Sequence, residues 1–369
     1  MKLLLLLNRN NMNNSDFEEE IKNIDIENVY GSVISLPKQC LHAWEDVDKI
    51  NISKDDYKDI ENIVFTGMGG SGLAARVIES AYSDKLEKPF VRVNDYNLPN
   101  FVNSKSLVLC SSYSGSTEET IENVRQAVER KSKWLAISTG GALIEEAKKH
   151  NVPFYKIEPK YNPCNQPRMA IGYSIVGQLA LASKLGIIEI SKDDIEKAML
   201  VMNDVISKNS KEIELEKNLA KSISNKLKDK IVILFSSSHL VGATHVFNNQ
   251  LNENSKNFSS DFSIPELNHH LMEGLKNPEG NKNNLFIIFV NSNMYSKRIN
   301  KRFEVTKDVV AKNNIQFEEI NIESEGKLNQ IFELIQFGAF VNFYLSILYK
   351  QNPAPIPWVD YFKDKLSKI

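Results

Sequence analysis

Residues 60–84 read IENIVFTGMGGSGLAARVIESAYSD. Six residues of strand character run into a glycine-rich turn, Gly67–Gly72, and an amphipathic helical stretch follows from Gly72 to Asp84. A strand that feeds a helix through a tight turn is one βα unit, and its repetition decides the fold. FVRVND (90–95), SLVLCSS (106–112), WLAIST (134–139) and VPFYKIE (152–158) read as further strands, with helices at 116–132 and 142–150 between them. Alternation at this spacing calls for a parallel sheet with right-handed crossovers and helices on both faces. A mostly helical stretch spans 169–186 and about 191–228. The α/β pattern then resumes with strands at 230–237, 284–291 and 315–322 and helices at about 240–254, 295–313 and 326–350. The second half therefore reads as a diverged copy of the first. Prolines 353, 355 and 357 break the chain before a short last helix from Trp358. The expected fold is α/β: two doubly wound parallel-sheet domains in tandem, with a C-terminal closing helix.

The length of 369 residues suits two domains. The expected division is an N-terminal extension and helical lead-in (1–54), a first domain (55–190), a second (191–350) and the closing helix (351–369). Lys plus Arg (45) nearly balance Asp plus Glu (47), which argues against a nucleic-acid binder. Three cysteines, Cys40, Cys110 and Cys164, form no CxxC pair, so a reducing, cytoplasmic setting is expected. The opening MKLLLLL is too short an apolar run for a signal peptide and is read as a disordered extension, with Met12 as an alternative start. No run of about 18 apolar residues stands out, so no membrane span is expected.

GMGGSG (67–72) matches neither nucleotide signature in full. Ser71 stands inside the dinucleotide pattern that Gly67, Gly69 and Gly72 would satisfy, and no Walker Lys is present. The turn supplies close backbone approach and a Ser71 hydroxyl at the positive end of a helix. SSYSGSTEET (111–120) again ends a strand and starts a helix, with Ser112, Ser114, Ser116 and Thr117 clustered around Gly115. STEE is itself a capping box, which accounts for one or two of these hydroxyls but not four. Two such turns meet at the carboxyl edge of a parallel sheet, where open α/β folds bind ligands. Neutral donors without Lys or metal-binding carboxylates suit a sugar phosphate better than a nucleotide.

GMGGSG followed by SYSGSTEET resembles the sugar isomerase (SIS) domain. NDYNLP (94–99), QPRMAIGY (166–173), LNENSK (251–256), PELNHH (265–270) and FKDKL (362–366) narrow the likeness to the bifunctional phosphoglucose/phosphomannose isomerases, over roughly residues 55–369. The resemblance implies that Gly70, Ser71, Ser112, Ser114 and Thr117 hold the substrate phosphate. It makes Glu253 the catalytic base, Arg168 the stabiliser of an enediolate, and His269 the ring-opening residue supplied by the other subunit of a homodimer. Lys363 falls near the ring oxygen. No metal or cofactor is implied. The chain departs from the family at NHHL, where relatives read NHNE, and mildly at SGST for SGNT and ENSK for ENAK.

Aldose–ketose interconversion asks one carboxylate to take a proton from carbon 2 and return it to carbon 1 through a cis-enediol, a transfer worth about 10² to 10⁴ in rate. Glu266, three residues before His269, is a competing carboxylate. The pair His269 and His270 lacks metal-site spacing, and His239 and His245 read as structural. Another SIS-type sugar-phosphate isomerase is the nearest rival reading. A non-catalytic sugar-phosphate sensor is the second, although the first 55 residues show neither the length nor the basic charge of a DNA-binding module.

Overall fold

The computed structural model describes residues 14–368, with side chains from Phe17; the MKLLLLL leader and Met12 lie outside the described residues. Helices α1 (Asn14–Ile24), α2 (Val29–Ile34) and α3 (Leu36–Asp48) lead in. Asp25 starts α2 by accepting from the Val29 and Tyr30 amides at 2.6 and 2.8 Å, a carboxylate at a positive helix end. The lead-in belongs to the core: Phe17 is fully buried with its ring 5.6 Å from Tyr344, and Gln39 Nε2 donates to the Met169 carbonyl at 2.9 Å.

In the first half, β1 (Asn62–Thr66), α4 (Leu73–Tyr82), β2 (Phe90–Val93), β3 (Ser106–Ser111), α5 (Glu118–Glu129), β4 (Lys133–Ser138), α6 (Gly141–Lys149) and β5 (Phe154–Lys156) build a five-stranded sheet of order β2-β1-β3-β4-β5. Every neighbouring pair is parallel. The period-2 pattern divides its side chains between two cores. Val64, Val108, Cys110 and Ala136 pack under α5 and α6, whereas Ile63, Phe65, Leu109 and Ile137 face the core shared with the second half. Three helices connect the halves: α7 (Ile171–Lys184), buried along almost its whole length, α8 (Lys192–Asn209), which buries one face, and α9 (Leu219–Leu227).

The second half carries β6 (Ile231–Ser237), α10 (Val241–Glu253), β7 (Ser259–Ile264), β8 (Leu285–Ser292), α11 (Lys297–Lys312), β9 (Gln316–Ile322), α12 (Lys327–Leu348) and, last, α13 (Pro357–Leu366). Its all-parallel sheet has the order β7-β6-β8-β9, the same as β2-β1-β3-β4, so the second half repeats the first without a fifth strand. Strand β7 was not expected from the sequence. SSDFSI lies at the sheet edge with only its end residues buried, so it lacks the apolar run that marked the central strands. One apolar run that the sequence reading passed over does occur: α12 is long and apolar enough to span a membrane by length and composition, but 94% of its most apolar window is buried inside the protein. It is the central core helix of the second half.

The halves are held together by α4 and α10. A Cβ added to Gly242 would lie 2.6 Å from the Arg76 carbonyl oxygen, so only glycine permits this approach. Ser80 Oγ accepts from the Gly242 amide at 3.2 Å across the same contact.

Candidate active site

Both glycine and serine turns sit at the carboxyl edge of the first sheet, after the adjacent strands β1 and β3. The Tyr113 amide donates to Ser71 Oγ at 2.9 Å and binds one turn to the other. Ser71 keeps its own hydroxyl hydrogen for a ligand. Ser112 Oγ accepts from the Gly115 amide at 3.1 Å and lies 2.7 Å from Thr117 Oγ1, so this pair holds one hydrogen beyond its mutual bond. Ser114 is exposed at the mouth, where Ser116 Oγ donates to it at 3.3 Å.

The capping box suggested by STEE is not formed. Thr117 is the N-cap of α5 yet makes no side-chain bond to the helix, and the Gly69–Gly72 turn and α4 have no side-chain cap either. Two helix starts therefore present first-turn amides without a side-chain acceptor, the arrangement an anion completes. A third loop braces them: Thr139 Oγ1 and Ser138 Oγ donate to the Tyr113 carbonyl at 2.8 and 3.3 Å. Gly115, at φ 73°, is so close that an added Cβ would meet the Gly140 oxygen at 1.8 Å. Sequence reasoning passed over this loop, although STGG directly after a strand was its signal. Gln178, also missed, donates from α7 to the Ser71 carbonyl at 3.0 Å.

The equivalent turn of the second half is internally filled. Ser238 takes φ 51° where Gly69 takes 50°. Here Gln330 Oε1 accepts from Ser292 Oγ at 2.5 Å and lies 2.8 Å from His239 Nε2, while Gln330 Nε2 donates to Asn293 Oδ1 at 2.6 Å. His239 is thereby tied into the core, and His245 pairs with Asp261 at 2.9 Å.

Arg168 lies against the first turn: a Cβ on Gly70 would stand 3.8 Å from the Arg168 Cα. The arginine is 3% exposed. Its Nε donates to Asn254 Oδ1 at 2.6 Å, Nη1 to Gln166 Oε1 at 3.0 Å, and Nη2 to the Pro353 carbonyl at 2.8 Å and to the Ala354 carbonyl. Four of the guanidinium's five N–H groups are committed, so the charge is fixed in place with one donor left.

Glu253 ends α10, half-buried, one residue before the Asn254 that holds Arg168. Burial raises its carboxyl above the ordinary value, against the opposing pull of Arg168, Lys363 and Lys256. A carboxylate shifted toward neutrality beside fixed positive charge suits a proton-transfer base. Lys363, exposed on α13, thus bears on Glu253 by charge. Lys256 was not singled out from the sequence, although it stands inside the LNENSK motif.

His269 makes no hydrogen bond or ion pair with Glu253 within the subunit. It is exposed on the turn Glu266–His269 beyond the edge strand β7, as is Glu266. The turn is anchored by its neighbour: Asn268 Nδ2 donates to Thr306 Oγ1 at 2.8 Å and Arg302 Nη1 donates to Asn268 Oδ1 at 3.2 Å. His270 lies against the Phe262 ring, centroids 6.3 Å apart. Among the described residues, no group of three or more His, Cys, Asp or Glu side chains is arranged to hold a metal.

Comparison with known proteins agrees with this architecture. Residues 216–366 match the family model of the bacterial phosphoglucose isomerase C-terminal SIS domain. A bifunctional phosphoglucose/phosphomannose isomerase of Caldicellulosiruptor bescii is 34% identical over 345 residues, 92% of this chain and 99% of the relative. One from Aquifex aeolicus is 30% identical, over 93% and 99% of the two chains. Among solved structures, a hypothetical protein from Thermus thermophilus superposes with a TM-score of 0.73 at 16% identity, over 96% of this chain and 93% of that one. The chain belongs to the bifunctional phosphoglucose/phosphomannose isomerase family.

Proposed function

We propose that the protein interconverts glucose 6-phosphate and mannose 6-phosphate with fructose 6-phosphate through a cis-enediol. The observation that supports the reading is the buried Arg168, which lies against the uncapped Gly69–Gly72 turn and bears by charge on Glu253. The phosphate is held by Gly70, Ser71, Ser112, Ser114 and Thr117, remote from the reacting carbons, and its binding energy orients the open-chain sugar. Glu253 takes the proton from carbon 2 and returns it to carbon 1. The negative charge that develops on the enediolate oxygen is met by Arg168, which needs no reorganisation because its other donors are already held. Both epimers at carbon 2 are accepted by rotation of the sugar chain before the same base, and this route requires no metal.

His269 opens the sugar ring from a second copy of the chain, and Lys363 assists at the ring oxygen. Two features support a homodimer: the outward-facing His269 turn, and the unpaired aromatic face of α13, where Trp358 is 81% and Phe362 61% exposed. The three free, buried cysteines accord with a cytoplasmic location.

Purified protein given fructose 6-phosphate in the presence of a chelator is expected to form both aldose phosphates. Glu253→Gln is expected to reduce both rates by about 10² to 10⁴ while sugar-phosphate binding survives. Binding without turnover by the unsubstituted protein would favour a sensor, and loss of turnover in chelator would contradict the metal-free route.

A further inference from the structure

Lys256 follows the end of α10 by three residues and adopts φ 52°, a conformation uncommon for a residue with a side chain. Its Nζ lies 3.1 Å from the Asn254 carbonyl oxygen, 2.8 Å from that of Asn352 and 3.0 Å from that of Pro353. An ammonium has three N–H donors and no acceptor, so all three are spent on backbone. The Pro353 oxygen also receives Arg168 Nη2. Asn352 in turn donates to Glu27 Oε2 at 2.7 Å and accepts from the Ala354 amide at 2.9 Å. Two cations thus grip one short turn, which immediately precedes the helix carrying Lys363.

We infer that Lys256 is a positioning residue for the isomerisation: its ammonium ties the end of the Glu253 helix to the 352–354 turn and so holds Glu253, Arg168 and α13 in one array. The inference rests on reading Glu253 as the base. Lys256 acts through others, because no N–H is left to reach a substrate. Removing the ammonium strands the Asn254 and Asn352 carbonyls, leaves that of Pro353 to Arg168 alone, and loosens the turn that supplies two of the acceptors of Arg168.

The charged groups around this array give the inference a pH signature. Burial, and then the Arg168 charge, lower Lys256 to about 8, while Glu253 and Glu27 oppose the shift. Arg168 itself is faced by Glu253, Cys164 and Asp360, and Glu253 by Arg168, Lys363 and Lys256. Below about pH 8 the ammonium grips the turn; above it the grip weakens. Because Lys256 pulls the Glu253 carboxyl down, its removal moves the ionisation of Glu253 to higher pH.

The test compares the unsubstituted protein with Lys256→Met and Lys256→Arg. It reads kcat and KM for fructose 6-phosphate across about pH 5 to 10, together with the Glu253 titration followed by carbon-13 NMR. Lys256→Met is expected to lose kcat on the order of 10² with KM little changed, since the phosphate turns belong to β1 and β3. Its acid limb and the Glu253 midpoint are expected to move to higher pH. Lys256→Arg is expected to recover most of kcat and to lack the alkaline fall near pH 8, because a guanidinium does not titrate there. Unchanged kcat and an unchanged Glu253 midpoint in Lys256→Met would overturn the inference. Should that variant not fold, an alkaline limb that persists in Lys256→Arg overturns it instead. Absence of isomerisation by the unsubstituted protein would sink the base reading alone, and the NMR midpoint would still decide the role of Lys256.

Discussion

Gly115 shows how narrowly the proposed phosphate turn is built. Its φ of 73° lies where side chains are disfavoured, and the Gly140 carbonyl fills the space a Cβ would take. Gly115→Ala therefore combines backbone strain, about 1 to 3 kcal/mol, with a clash that pushes the turn off its bracing loop. The expected outcome is a marked rise in KM for fructose 6-phosphate with Glu253 chemistry retained, checked by steady-state kinetics; an unchanged KM would place the phosphate elsewhere. At this scale the two turns of the candidate site were legible in the sequence. The hydroxyls around Gly115 outnumbered what capping could use, and the structure leaves both helix starts without side-chain caps. What each hydroxyl bonds to was not legible: Ser71 reaches Tyr113, 42 residues on. Neither was the role of Lys256, whose acceptors at Asn352 and Pro353 stand 96 and 97 residues away.

Among the elements, the close packing of α4 on α10 joins the two halves through Gly242. A methyl group there meets the Arg76 backbone, which cannot rotate away as a side chain would. Gly242→Ala is expected to cost about 1 to 3 kcal/mol by overpacking, read as a lower urea midpoint with an unchanged slope. Wild-type stability would show that the helices separate without penalty. Central strands and amphipathic helices were readable because burial writes itself into local periodicity. Edge strand β7 was not, since a strand packed on few neighbours needs few apolar residues, and pairing with β6 rather than composition keeps it in the sheet. For α12 the sequence carried the apolar run, but only packing reveals that protein rather than lipid surrounds it.

For the whole molecule, the proposed shared site makes a prediction that no single-subunit arrangement shares. Glu253→Gln and His269→Ala, each inactive alone, are mixed under exchange conditions. In a two-fold dimer, random exchange gives mixed pairs in which one of the two sites is intact, so about a quarter of full activity is expected to return. No recovery despite demonstrated exchange would contradict a shared site. By itself the sequence determined the order of βα units apart from edge strand β7, the likeness of the second half to the first and the two glycine and serine turns, because each follows from short-range pattern and turn chemistry. Only the tertiary structure decided that the second copy of the turn is filled by Gln330, that Arg168 is held by the carbonyls after Asn352, and that His269 stands exposed on the turn after the edge strand. These are pairings between residues distant in the chain, and they are set by how the packed layers meet rather than by any local periodicity.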